Sequence, residues 1–80
     1  MGFNCMTTLY EVEMEMNGHD LNISGNEHYE GYDDSVRYFV SVFDYDVADE
    51  IEVIESNVET IYADFLAVMN RYKKEGAIEK

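Results

Sequence analysis

The sequence predicts an α+β fold: an antiparallel β-hairpin or three-stranded sheet over about 8–16, 19–24 and 36–44, packed against a C-terminal helix over about 47–75. Three patterns predict it. Residues 8–16 alternate with period two, Asn17-Gly18 follows directly, and apolar residues from Val47 to Tyr72 recur at helical spacing.

In the first strand Tyr10, Val12, Met14 and Met16 point to one face and Glu11, Glu13 and Glu15 to the other. Asn17-Gly18 suits a two-residue turn, because both residues tolerate positive φ. The return strand over 19–24 places Leu21 and Ile23 on the buried face. Residues 25–34 contain two glycines, four acids and two tyrosines, and read as an exposed loop. Residues 35–45 are rich in valine and aromatics, which favours a strand, although Val36, Phe39, Val40 and Phe43 also fit a helical stripe. The C-terminal stripe of Val47, Ile51, Ile54, Val58, Ile61, Phe65, Val68 and Tyr72 steps by four and three. Ser56 with Glu59 forms a capping-box pattern, so a break is expected near 55–57. Gly76 ends the helix, and the last four residues are expected to fray.

Eighty residues make one small domain, 1–80, with a core of marginal size. There is one cysteine, Cys5, expected to be buried as a small apolar residue; no internal disulfide can form. His19 and His28 lie far from Cys5, so no Cys/His metal site and no cofactor is expected. The N-terminus has no basic segment followed by an apolar run, and no stretch approaches the roughly 18 apolar residues that span a bilayer. A cytoplasmic setting is therefore expected.

Charge separates the function classes. The chain carries 18 acids against 5 cations, and four of the cations fall in the last ten residues. Residues 1–70 hold sixteen acids and one cation, Arg37, a net of −15. Such a body repels nucleic acid and anionic membranes and attracts basic surfaces. An apolar fraction of 46% with 14% aromatics argues against disorder.

Three groups of residues are candidates for partner binding. Glu11, Glu13 and Glu15 form a ladder with carboxylates about 6.8 Å apart. Glu30, Tyr32, Asp33 and Asp34 mix carboxylates with a tyrosine of the kind enriched at binding hot spots. Asp44, Asp46, Asp49, Glu50 and Glu52 form a dense acidic run. With Glu55 that run partly fits a twelve-residue calcium loop, but Asp49 stands where the turn needs glycine. No catalytic residue and no metal ligand is assigned: the histidines have no nucleophile beside them, and so short a chain offers little room for a water-excluding pocket.

In size, charge and hairpin-plus-helix layout the chain resembles, as a class, the small acidic anti-CRISPR and antirestriction proteins of phages and mobile elements, several of which mimic DNA. The resemblance rests on the charge of residues 1–70, the Glu11–Glu15 strand and the Asp44–Glu55 cluster, with no shared motif, so it transfers no functional residue. It implies a non-enzymatic inhibitor that occupies the cationic surface of a nucleic-acid-binding protein or nucleoprotein. For a CRISPR effector, that would block recognition of target DNA or its protospacer-adjacent motif. The alternatives are an interaction module, including a homodimer paired through the Val47–Tyr72 stripe, and a divalent-ion binder.

Overall fold

Asparagine and glycine at positions 17 and 18 have φ of 54° and 81°, the pair of positive values that a two-residue type I′ hairpin turn requires. This turn joins strand β1 (Asn4–Met16) to β2 (His19–Glu30). The computed structural model describes residues 4–31 and 34–80; the candidates Tyr32 and Asp33 lie outside them. Strand β3 (Ser35–Asp44) returns beside β2, β4 (Asp49–Ser56) beside β3, and helix α1 (Ile61–Lys74) leads to a short β5 (Ile78–Glu79). The five strands form one antiparallel sheet in the order β4-β3-β2-β1-β5. The α+β class and the antiparallel sheet are as expected; the sheet is wider and the helix shorter.

Cross-strand partners share a face, so the register divides the sheet into two sides. Met14, Leu21, Ile23, Val40 and Val42 lie on one side and are fully buried. Ile61, Phe65, Val68 and Tyr72, spaced four, three and four apart on α1, cover them. Tyr10 joins this side through a β-bulge between Thr8 and Tyr10, and its ring lies 4.9 Å from Tyr62 and 5.8 Å from Phe65. Gly25 sits beneath that contact: a Cβ there would lie 3.4 Å from Tyr10 and 3.5 Å from Ile61.

Five expectations are corrected. Residues 49–56 are strand, not the first half of a helix. Ile51, Val53 and Ile54 are β-branched, and their backbone satisfies the edge that β3 would otherwise expose. Residues 25–30 continue β2 instead of forming a loop, because β1 and β3 are both long enough to pair with them. The C-terminal residues do not fray: Ile78 and Glu79 pair with Glu15 and Met14, and the Lys80 amide donates to the Glu13 carbonyl at 2.9 Å. Cys5 is exposed. The homodimer stripe is lost as well, since Val47–Val58 lies on a turn and a strand and Ile61–Tyr72 is spent on the sheet.

Both ends of α1 have local chemical causes. The Asn57 side-chain oxygen accepts the amides of Glu59 and Thr60, and the Ser56 and Thr60 hydroxyls donate to Asp64 in the first turn. At the other end Gly76 takes φ 115°, the Ala77 amide reaches the Tyr72 carbonyl and the Gly76 amide reaches Lys73. That is a Schellman motif.

Two stability predictions follow from this packing. Ala48 closes the β3–β4 turn at φ 58°, where an L side chain costs about 1–2 kcal/mol, so Ala48→Gly should raise the urea midpoint. Phe65→Ala should cost about 3–5 kcal/mol, as much as a core this small supplies. Circular dichroism should find the Phe65→Ala chain largely unfolded at 25 °C.

Candidate protein-binding surface

Helix α1 covers one side of the sheet and leaves the other open, and the open side carries the ladder. Glu11, Glu13 and Glu15 are all exposed there. Each begins a row across the strands. Glu11 is followed by Ser24, Ser41 and Val53; Glu13 by Asn22, Phe43 and Glu50; Glu15 by Asp20, which lies beside Tyr45 through the Tyr45 amide. Asn22 Nδ2 donates to Glu13 at 2.9 Å and to Glu11 at 3.4 Å, and the Tyr45 hydroxyl reaches Glu13 at 3.4 Å. The open side thus has acids on β1 and β4 and aromatic rings between them. Phe43 and Tyr45 meet edge to face at 5.3 Å.

Four of the five cations are paired. Arg37 pairs with Glu55, Arg71 with Glu52, Lys73 with Glu79 and Lys80 with Asp20. Among the described residues no ion pair reaches Glu11, Glu13, Glu15 or Glu50. Three of them stand on β1 and Glu50 on β4, with Lys80 near enough to Glu13 and Glu15 to feel their charge.

The remaining sequence candidates separate into different environments. Glu30 accepts the Ser35 hydroxyl, and Asp34, at φ 59° in the β2–β3 turn, accepts the Tyr29 hydroxyl at 2.8 Å. Both sit at the far end of the sheet from Glu15. Glu52 faces the helix and accepts the Tyr72 hydroxyl at 2.8 Å as well as Arg71. Burial pushes the Tyr72 hydroxyl up to about 12, and Glu52 reinforces it. Asp49 is exposed at the start of β4. Glu52 and Asp44 are engaged within the fold, and the acidic run is divided between the two sides of the sheet.

Asp44 is 5% exposed and works as a clasp. It accepts the amides of Asp46 and Val47, which shapes the β3–β4 turn, and His19 Nδ1 at 2.7 Å from the neighbouring hairpin turn. Asp46 accepts the Asp20 amide. The ligand atoms of His19, Asp44 and Asp46 lie within 4.8 Å of one another, yet these hydrogen bonds already engage them. The calcium-loop alignment fails on geometry. Asp44 pairs with Asp49, while Glu55 lies six residues further along β4, roughly 20 Å away, opposite Phe39.

Sequence reasoning missed a second feature of the open side. Asn26, 4% exposed, donates from Nδ2 to Ser41 at 3.0 Å and to Ser24 at 3.1 Å, and accepts from Thr8 at 3.1 Å. Beside it a cavity of about 180 Å³ opens between Met6, Phe39 and Val53, with Glu50 also on its lining. The reading of 25–34 as a loop concealed it. A polar residue at every second position of 22–28 was the available signal. Among the described residues no helix is long and apolar enough to cross a membrane.

The clasp titrates. The Asp44 hydrogen bond raises the His19 pKa above its ordinary 6.5. Burial works against ionising Asp44, but His19 and the two amides outweigh it and hold the carboxyl below its usual range. A raised histidine stabilises the fold fully below about pH 6.5, and the contribution fades as pH climbs through its folded value. A lowered carboxyl stabilises above its unfolded value of about 3.8, and that contribution fades as pH falls through the folded one. The difference in urea midpoint between the native chain and His19→Asn should therefore be largest between about pH 4 and 6.5 and shrink toward pH 8. A difference constant over that range would count against the clasp.

Compared with known proteins, the chain matches no family model, no curated protein and no solved structure, and its functional reading rests on its own geometry.

Proposed function

We propose that this chain is a non-enzymatic inhibitor, acting in the cytoplasm, whose open sheet face occupies the cationic nucleic-acid-binding surface of a partner protein or nucleoprotein. The observation that carries the reading is the row of Glu11, Glu13 and Glu15. These carboxylates stand about 6.8 Å apart on a strand paired on both sides over part of its length, and among the described residues no ion pair reaches them. A flexible acidic tail would lose conformational freedom on binding; side chains projecting from a sheet lose less. The charges would steer encounter and stand in for phosphates, while Phe43 and Tyr45 between the acidic strands would provide contact area. The class resemblance makes a guide-RNA effector one such partner, approached through its groove for target DNA or the protospacer-adjacent motif.

Retention of a basic nucleic-acid-binding protein on the immobilised chain tests this. Binding should weaken steeply with salt and be competed by duplex DNA. Glu11→Gln/Glu13→Gln/Glu15→Gln should weaken it about tenfold at low salt, from three exposed charge contacts of under about 1 kcal/mol each. The same triple variant should melt no lower than the native chain, because it removes repulsion between neighbouring carboxylates. Binding that ignores both salt and the triple substitution would end the reading.

A further inference from the structure

The cavity on the open face has the chemistry of a guanidinium slot. Its volume of about 180 Å³ is smaller than the roughly 300 Å³ at which small-molecule and cofactor sites begin, and suits one side chain. Its walls are the Phe39 ring, the His28 ring 6.4 Å from it, Met6 and Val53, the last two well exposed. Its polar part offers acceptors. Both N–H groups of the Asn26 amide are used on Ser24 and Ser41, while its oxygen accepts one bond from Thr8 and has a second lone pair. Glu50 adds a carboxylate, with no ion pair to it among the described residues. Aromatic wall, buried acceptor and free carboxylate together call for a flat cation rich in donors.

The molecule already uses one such contact. The Arg37 guanidinium lies 5.1 Å from the centre of the Phe39 ring and pairs with Glu55, and Arg37 does not line the cavity. Phe39 therefore accepts guanidinium within this fold. Lysine would fit less well: its ammonium is compact and strongly hydrated, whereas guanidinium stacks on rings and gives up water more readily.

We propose that this cavity receives one arginine side chain of the basic partner, stacked along Phe39 and bonded to Glu50 and the Asn26 oxygen. The proposal rests on the decoy reading and adds to it. The carboxylate ladder attracts any cationic surface, and the slot selects arginine over lysine.

The test compares capped hexa-arginine and hexa-lysine peptides, titrated into the full chain at low salt and followed by amide NMR shifts. The arginine peptide should bind three- to tenfold tighter, moving the Asn26, Phe39 and Ser41 signals. Glu50→Gln and Phe39→Leu should each reduce that preference to under twofold while leaving lysine-peptide binding within twofold for Phe39→Leu. Glu50 is exposed, so its substitution leaves the core intact should Phe39→Leu loosen the sheet. Equal affinity for the two peptides, no binding of either, or an arginine preference that survives Glu50→Gln would overturn the slot. If the peptides bind equally and Glu11→Gln/Glu13→Gln/Glu15→Gln weakens both, the slot falls while the acidic face stands.

Discussion

A fourteen-residue helix packs on one side of a five-stranded sheet, and this one-sided cover determines where everything else can go. Side chains alternate along a strand, so a strand with one buried side must send its other residues to water. Met14, Leu21, Ile23, Val40 and Val42 meet Ile61, Phe65, Val68 and Tyr72 on the covered side. By the same alternation Glu11, Glu13, Asn22 and Phe43 are driven together on the other. The acidic face is thus a geometric by-product of the core, held as rigidly as the core is.

The few cations serve attachment. Arg71, Lys73 and Lys80 lie close in sequence but tie down three different joints. Arg71 binds Glu52 and so joins the helix to β4; Lys73 binds Glu79 in β5; Lys80 binds Asp20 in β2. An acidic sheet attracts a basic C-terminal segment wherever it lands, and the Schellman turn at Gly76 directs where that is. Exposed pairs of this kind are individually weak. Their common effect is to fasten the helix and β5 to the sheet, with Lys80 placing one positive charge beside Asp20 in the Glu15 row.

Much of the fold was legible wherever one local signal dominated. The alternation of residues 8–16 and the positive-φ pair at 17–18 specify the first hairpin, and the 61–72 spacing specifies the helix. Residues 47–60 show how two signals can overlap. Ile51, Ile54 and Val58 lie three and four apart, as in a helix, yet the segment Glu50-Ile51-Glu52-Val53 also alternates, and pairing with the free edge of β3 decided between them. Residues 25–30 look like a loop only when taken alone. The candidate site was half legible: the ladder follows from period two, whereas the cavity needs Met6, Asn26, Phe39 and Val53 from four strands, a juxtaposition no local pattern encodes. Asp44 and Glu52 entered as surface charges by composition and turned out to be a turn clasp and a helix anchor.

The hydrogen-bonded quartet of Thr8, Ser24, Asn26 and Ser41, of which Asn26 and Ser41 are buried, has a consequence for strand alignment. Hydrophobic alternation excludes a slip of one residue, which would turn the core outward, but it is blind to a slip of two, which returns every side chain to its own side. Strands of 12 and 13 residues leave ample length for that error. Sliding β2 by two positions would carry the Asn26 amide away from Thr8 and Ser41 and break both hydrogen bonds. Greasy patterning chooses which side faces inward; these four hydrogen-bonding groups choose among the alignments that greasy patterning treats as equal.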